Sequence, residues 1–269
     1  MIIKNRIEIL NKLKDKPLVK QRTDEWYKLR EDKLTASDLY DAVQNPLSLI
    51  KKKLKNVNFN SYAIPALRWG CMFESIASNI YAYLNSTVIN EFGLLINDNI
   101  NNFGASPDGI TNDGIMIEIK CPYSREIKDN TIPDKYYYQM QGQMAVCELD
   151  ICDYIECKFN TFENEESYIE GVKDIDNYKH GIIIDYKNGT YKYSTFNNSY
   201  IDNINEINDF KNDNIIIYWV LELINIQRVK FDENLWNNVI SKKIEEYNKL
   251  YQIEKLKNKK TNLFIEDND

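Results

Sequence analysis

Fifteen residues, Ser106 to Lys120, restrict this chain more than any other stretch. Ile115, Ile117 and Ile119 alternate with Met116, Glu118 and Lys120. Side chains on a strand point to opposite faces in turn. The three isoleucines therefore face a core, and Glu118 and Lys120 project together from the other face. Asn112-Asp113-Gly114 is a turn signal just upstream. The segment from Phe103 to Ile110 is then expected to run back antiparallel. It carries Ser106-Pro107-Asp108-Gly109, which puts Asp108 in the same pocket as Glu118.

Two carboxylates that close repel unless a cation sits between them. Mg²⁺ suits the place: it takes hard oxygen ligands and fills its remaining positions with water and phosphate. An ammonium such as Lys120 beside it can orient an attacking water and offset charge on phosphorus. A surface hairpin with a Glu118–Lys120 salt bridge would be spelled with the same letters, so the reading depends on residues elsewhere.

Two helices supply them. Trp69, Phe73, Ile76, Ala77, Ile80 and Leu84 recur at helical spacing, which predicts an amphipathic helix over residues 67–84. Glu74 lies at the edge of its apolar stripe, where a bare carboxylate is costly to bury. Pro133 and Asp134 suit the first turn of a second helix running to Val146. On it Gln139 and Gln143 share a face, able to touch water or phosphate without adding charge. Each alone is equally consistent with a solvated helix face.

In order along the chain stand Glu25-Trp26-Tyr27-Lys28-Leu29-Arg30, Thr35-Ala36-Ser37, Arg68-Trp69-Gly70 leading to Glu74, Ala105-Ser106-Pro107-Asp108-Gly109, Ile117-Glu118-Ile119-Lys120-Cys121-Pro122 and Tyr138-Gln139-Met140-Gln141. Together they resemble the PD-(D/E)XK nuclease core, and within it the phage lambda-type alkaline exonucleases, also called YqaJ-type viral recombinase nucleases. The likeness covers roughly residues 20–160. It implies an α/β (α+β) fold of restriction-endonuclease type, a central mixed sheet flanked by helices.

The resemblance also implies roles. Asp108 and Glu118 would ligate the metal, with the Ile119 carbonyl as a third ligand. Glu74 would support the site, Lys120 would position the nucleophilic water and Gln139 would stand beside them. Arg30, Ser37 and Ser106 would hold the 5′-terminal phosphate of the degraded strand. That chemistry is sound, because arginine offers phosphate a forked, permanently charged donor and hydroxyls add short bonds. Trp26 reads as a buried residue rather than a stacking platform. The implied activity is Mg²⁺-dependent 5′-to-3′ digestion of linear double-stranded DNA, with one or two ions and Mn²⁺ as a substitute. The 3′ strands left would serve recombination or genome processing. A homotrimeric ring around the duplex and a single-strand annealing recombinase as partner come from the resemblance alone. So does a viral or phage origin, inside the host cell. The alternatives are an endonuclease of the same superfamily, of restriction or junction-resolving type, and a non-catalytic subunit that binds DNA ends. The full set of Glu74, Asp108, Glu118 and Lys120 speaks against the last. Arg30 with Ser37 favours the exonuclease, since an endonuclease has no use for a terminal-phosphate pocket.

Charge is unevenly spread. Residues 1–60 hold fourteen Lys/Arg against eight Asp/Glu, an excess of six on a chain of formal charge −7. A basic first segment on an acidic body suits a protein that meets DNA on one face. Lys51-Lys52-Lys53 and Lys55 are candidates for phosphate contacts or a solvated charge run. No apolar run is long enough to span a bilayer and no signal peptide is legible, so an intracellular protein is expected. The five cysteines have no paired C-x-x-C spacing, and buried reduced thiols are favoured over an iron–sulfur cluster. His180 is the single histidine and reads as a loop residue. Phosphate-binding glycine motifs are absent.

The whole chain, residues 1–269, reads as one nuclease domain. An amphipathic helix over residues 1–20 opens it. The core spans about 20–162 and 215–257, with a core strand over 153–159, a β-rich stretch over 215–231 and a charged helix over 232–257. An insertion over about 163–214 contains a hairpin, residues 181–194, turning at Asn188-Gly189. A frayed tail is expected from Asn258.

Overall fold

The computed structural model describes residues 5–55, 61–211 and 213–266. Helices come first. α1 (Arg6–Lys14) begins at Asn5, whose side chain accepts the Ile7 N–H at 3.0 Å. It fills only the middle of the opening helix expected over residues 1–20, and residues 1–4 lie outside the described residues. α2 (Asp24–Arg30) is capped by the Thr23 side chain. There follow β1 (Leu34–Thr35), α3 (Leu39–Gln44), α4 (Pro46–Leu54) and α5 (Pro65–Leu84). α4 and α5 each start on a proline, where a missing N–H costs nothing.

The sheet-forming part comprises β2 (Ile89–Asn90), β3 (Leu95–Ile96), β4 (Phe103–Ala105), β5 (Gly109–Thr111) and β6 (Met116–Lys120), then α6 (Asp134–Cys147) and β7 (Ile151–Phe162). α7 (Glu165–Val172), β8 (His180–Asp185), β9 (Tyr191–Tyr193) and α8 (Tyr200–Ile207) lie within residues 163–214, the segment expected as an insertion. β10 (Ile215–Lys230), α9 (Glu233–Leu235), a π-helical turn over Trp236–Ile240 and α10 (Ser241–Glu266) complete the chain. α10 continues to Glu266, past the Asn258 expected as its end. Among the described residues no helix is long and apolar enough to cross a membrane.

A seven-stranded mixed sheet runs β2-β5-β6-β7-β10-β8-β9. β6 and β7 are parallel, joined across α6, and the other neighbours are antiparallel. Helices cover both faces, so this is the mixed α/β architecture expected. On one face Met72, Phe73, Ile76 and Ile80 of α5 pack on Ile117, Ile119 and Ile155. Phe73 stacks on Phe159 there, centroids 4.4 Å apart. On the other face α1, α3, α4, α6 and α10 enclose Met116 and Tyr154. β6 is therefore lined by a core on each side. Its polar face is not open to solvent as the alternation alone suggested.

The returning arm, residues 103–110, is not one strand. β4 belongs to a separate three-stranded sheet, β1-β4-β3, whereas β5 pairs with β6. The break falls at Ser106-Pro107-Asp108. Proline has no N–H for a ladder, so pairing lapses there and the chain changes sheet.

Residues 163–214 do not form an appendage. β10 is sixteen residues long, pairs with β7 along its length and with β8 over Ile215–Val220. The inserted hairpin thereby extends the main sheet, with α7 and α8 packed on it through Tyr168, Val172 and Ile207. His180 corrects the loop reading: it opens β8, is buried, and its Nδ1 lies 2.9 Å from the Tyr168 hydroxyl. Burial pushes its imidazole down to about 4, so it is neutral at pH 7. All five cysteines are free thiols; Cys121, Cys147, Cys152 and Cys157 are buried and Cys71 is half-buried.

Candidate active site

The turn between β5 and β6 forms as the letters imply. Gly114 takes φ +72°, and the Thr111 N–H donates to the Ile115 carbonyl at 2.8 Å. Pairing Gly109 with Ile117 sets Asp108 against the end of β6. Asp108 Oδ2 accepts the Ile119 N–H at 2.7 Å.

Glu118 is fully buried, between β6 and α6. A carboxylate there survives only if its lone pairs are met. Gln139 Nε2 donates to Oε1 and Gln143 Nε2 to Oε2, each at 2.7 Å. Lys120 Nζ donates to Oε1 as well, and to the Ile119 carbonyl at 3.2 Å. The two glutamines therefore hold the carboxylate itself rather than water or phosphate. Gln143, placed on the same face as Gln139 by their four-residue spacing, joins it at the carboxylate. α6 comes close because Gly142 lacks a side chain: a Cβ there would lie 2.9 Å from Leu39 Cδ2 and 3.0 Å from Phe103 Cζ.

Electrostatics single out the same residues. Burial, then Glu118, then Glu74, push the Asp108 carboxyl well above the usual carboxylate range, against Lys120 and the Ile119 N–H. Burial disfavours the Lys120 ammonium, but Glu118 and Asp108 outweigh it and raise its pKa. Lys120 is charged, and its Nζ lies 5.0 Å from the Tyr136 ring centroid.

A cavity of about 680 Å³ opens onto this group, lined by Ser37, Gly70, Glu74, Lys120, Tyr136 and Gln139 among others. Glu74 reaches it from α5, half-buried. It is paired with Arg22, whose Nη2 lies 2.5 Å from Oε2.

The second candidate group also assembles. Arg30 lies with its Nη1 3.4 Å from Ser106 Oγ and its Nη2 3.2 Å from Ser37 Oγ and 3.3 Å from Thr35 Oγ1. Its guanidinium sits 4.1 Å over the ring of Trp26. Trp26 is buried, as read, and its Nε1 donates to Ser106 Oγ at 3.1 Å. Burial lowers the Arg30 pKa while Asp38 opposes it. Lys53 is removed from the run of phosphate candidates: its Nζ is 2.9 Å from Asp38 Oδ2 and 3.0 Å from the Lys33 carbonyl. Lys51, Lys52 and Lys55 remain exposed.

The donor set suits a hard divalent ion: two carboxylates and a peptide carbonyl, all oxygen. The Asp108 carboxyl is raised by burial first and by Glu118 and Glu74 after it, and a cation would offset both causes. Among the described residues no three His, Cys, Asp or Glu side chains form a cage for an ion. Water and substrate would have to complete the coordination.

The profile of the YqaJ-like viral recombinase domain matches residues 25–150, just under half of the chain and every candidate residue above except Arg22. That stretch is similar to a YqaJ-like viral recombinase domain. An uncharacterized protein of Acanthamoeba polyphaga mimivirus is 28% identical over 188 residues, which is 61% of this chain and 33% of that protein. A protein of African swine fever virus is 26% identical over 194 residues, 54% of this chain and 51% of that protein. The chain thus spans between a third and a half of the curated relatives it matches. An alkaline exonuclease from Laribacter hongkongensis, LHK-Exo, superposes with a TM-score of 0.56 at 23% identity, covering 90% of this chain and all of that one. The chain therefore shares the fold of that alkaline exonuclease.

Proposed function

We propose that the chain is a metal-dependent deoxyribonuclease that digests linear duplex DNA from its ends, 5′ to 3′, leaving 3′ single strands for recombination or genome processing. The observation that carries this is the clustering of Asp108, Glu118 and Lys120 about Ile119 beside one cavity, with Arg30 and Ser37 grouped about Ser106, two residues before Asp108. LHK-Exo has been solved in complex with dAMP, and a nucleoside monophosphate is the kind of ligand this reading calls for. Residues 1–269 are taken as one nuclease domain with an insertion over 163–214.

Asp108, Glu118 and the Ile119 carbonyl would hold Mg²⁺, or Mn²⁺ in its place, as one or two ions. The ion supplies Lewis-acid charge for the phosphate and eases deprotonation of water. Gln139 and Gln143 fix the Glu118 carboxylate in one orientation. Lys120, held charged, presents an N–H to the attacking water and to the phosphate oxygen on which charge develops. Glu74 lines the same cavity, adds negative charge and supports the ion there. Arg30 and the two hydroxyls bind the terminal phosphate, so that the strand is measured from its 5′ end. A homotrimer and a single-strand annealing protein belong to the same reading.

The test compares linear with closed-circular duplex in Mg²⁺, with and without a 5′ phosphate. Linear, phosphorylated DNA should be consumed and closed circles spared. Cutting of closed circles would replace this reading with an endonuclease. Arg30→Ala should slow digestion of 5′-phosphorylated ends by about 10²-fold, and of 5′-hydroxyl ends far less. Equal losses on both ends would remove the phosphate pocket.

A further inference from the structure

Arg22 lines the same cavity as Lys120 and Glu74 and has no part in the scheme above. Its backbone is left-handed, with φ +65°. A residue with a Cβ pays about 1 kcal/mol or more for that conformation, and glycine would adopt it freely. The turn is pinned on both sides. Gln21 Nε2 donates to the carbonyls of Phe92 at 2.8 Å and Pro107 at 3.0 Å. Thr23 Oγ1 donates to the Lys20 carbonyl at 2.8 Å and caps α2. The Arg22 side chain is thereby carried to Glu74 Oε2, at 2.5 Å.

A fixed positive charge therefore stands against Glu74 and within the field of Asp108, beside the place where a divalent ion is expected. Burial disfavours the guanidinium, but Glu74, Cys71 and Asp108 keep it protonated. It relieves part of the carboxylate repulsion when no ion is bound. It also engages a Glu74 oxygen and raises the electrostatic cost of bringing in two further positive charges. Removing it should leave the acidic cluster hungrier for a cation.

We propose that Arg22 competes with the divalent ion for Glu74 and so sets how tightly the site holds its metal. The proposal rests on the metal reading given above. It makes Arg22 a positioning residue, whose role lies in ion affinity rather than in bond breaking.

Isothermal titration of Mn²⁺ into the full chain, without DNA, tests it. Arg22→Gly removes the charge and relaxes the backbone, so folding is retained and a thermal melt verifies it. It should bind Mn²⁺ about five-fold more tightly than the unaltered chain, with the gap narrowing in high salt. Arg22→Lys keeps the charge and should stay within about two-fold of the unaltered chain. Unchanged or weaker affinity in Arg22→Gly overturns the competition while leaving the metal site standing. So does an Arg22→Lys chain that binds as tightly as Arg22→Gly. Failure of the unaltered chain to bind Mn²⁺ overturns the metal reading as well.

Discussion

Lys120→Ala should slow hydrolysis of linear duplex DNA by about 10²- to 10³-fold or more in Mg²⁺, with little change in thermal unfolding. The ammonium is held by Glu118, Asp108 and the Ile119 carbonyl, beside the cavity into which the scissile phosphate must come. Folding is spared because Glu118 keeps two amide donors, Gln139 and Gln143, after the ammonium is gone. Asp108→Ala should be equally inactive, for a different reason: it removes an ion ligand. Single-turnover assays on end-labelled duplex, alongside a melt of each variant, separate the two effects. Full activity in a folded Lys120→Ala chain would falsify the assignment of the site.

The largest effect on stability is expected at Asp185. Its carboxylate is fully buried at the end of β8 and accepts from Arg68, from the Tyr62 hydroxyl at 3.3 Å and from the Lys187 N–H at 2.8 Å. Asp185→Ala strips all of these acceptors at once. Breaking a buried ion pair from one side typically costs 3–5 kcal/mol, and Arg68 can recover some hydration because its side chain is about a third exposed. A loss of about 3 kcal/mol follows, read as a lower urea midpoint at unchanged slope. Arg68 sits on α5, six residues before Glu74, so the inserted hairpin braces the helix that brings that carboxylate to the cavity. A second brace is the Tyr193 hydroxyl, which donates to the Met72 carbonyl at 2.9 Å. A midpoint unchanged by Asp185→Ala would mean that the insertion bears no load on α5.

Much of this was legible in the letters, because its causes are local. The period-two run from Ile115 to Lys120 gave β6 and the facing of its side chains, and Asn112-Asp113-Gly114 gave the turn. The helical stripe from Trp69 to Leu84 gave α5, and Pro133-Asp134 gave the start of α6. The grouping of Arg30, Ser37 and Ser106 came only through resemblance, since Ser106 stands 76 residues from Arg30 and no local spacing links them. Other features were set by tertiary contact. The face of β6 bearing Glu118 looked exposed because alternation says nothing about what covers a face; α6 covers it. Lys53 looked like part of a basic run until Asp38 claimed it. His180 looked like a loop residue because the strand it opens is held by β10, thirty-five residues away. Arg22 was invisible, since no pattern announces a left-handed arginine.

One property of β6 reaches further. Packed by a core on each face, it is laddered to β7 along its length and to β5 at Met116 and Ile117, and it meets the cavity only at Ile119 and Lys120. Its N–H groups before Ile119 should exchange with deuterium only when the molecule as a whole opens, so that of Ile117 should be among the last to label. The cleft's floor would then be as rigid as the protein's global stability allows, and motion that admits a strand must come from the walls.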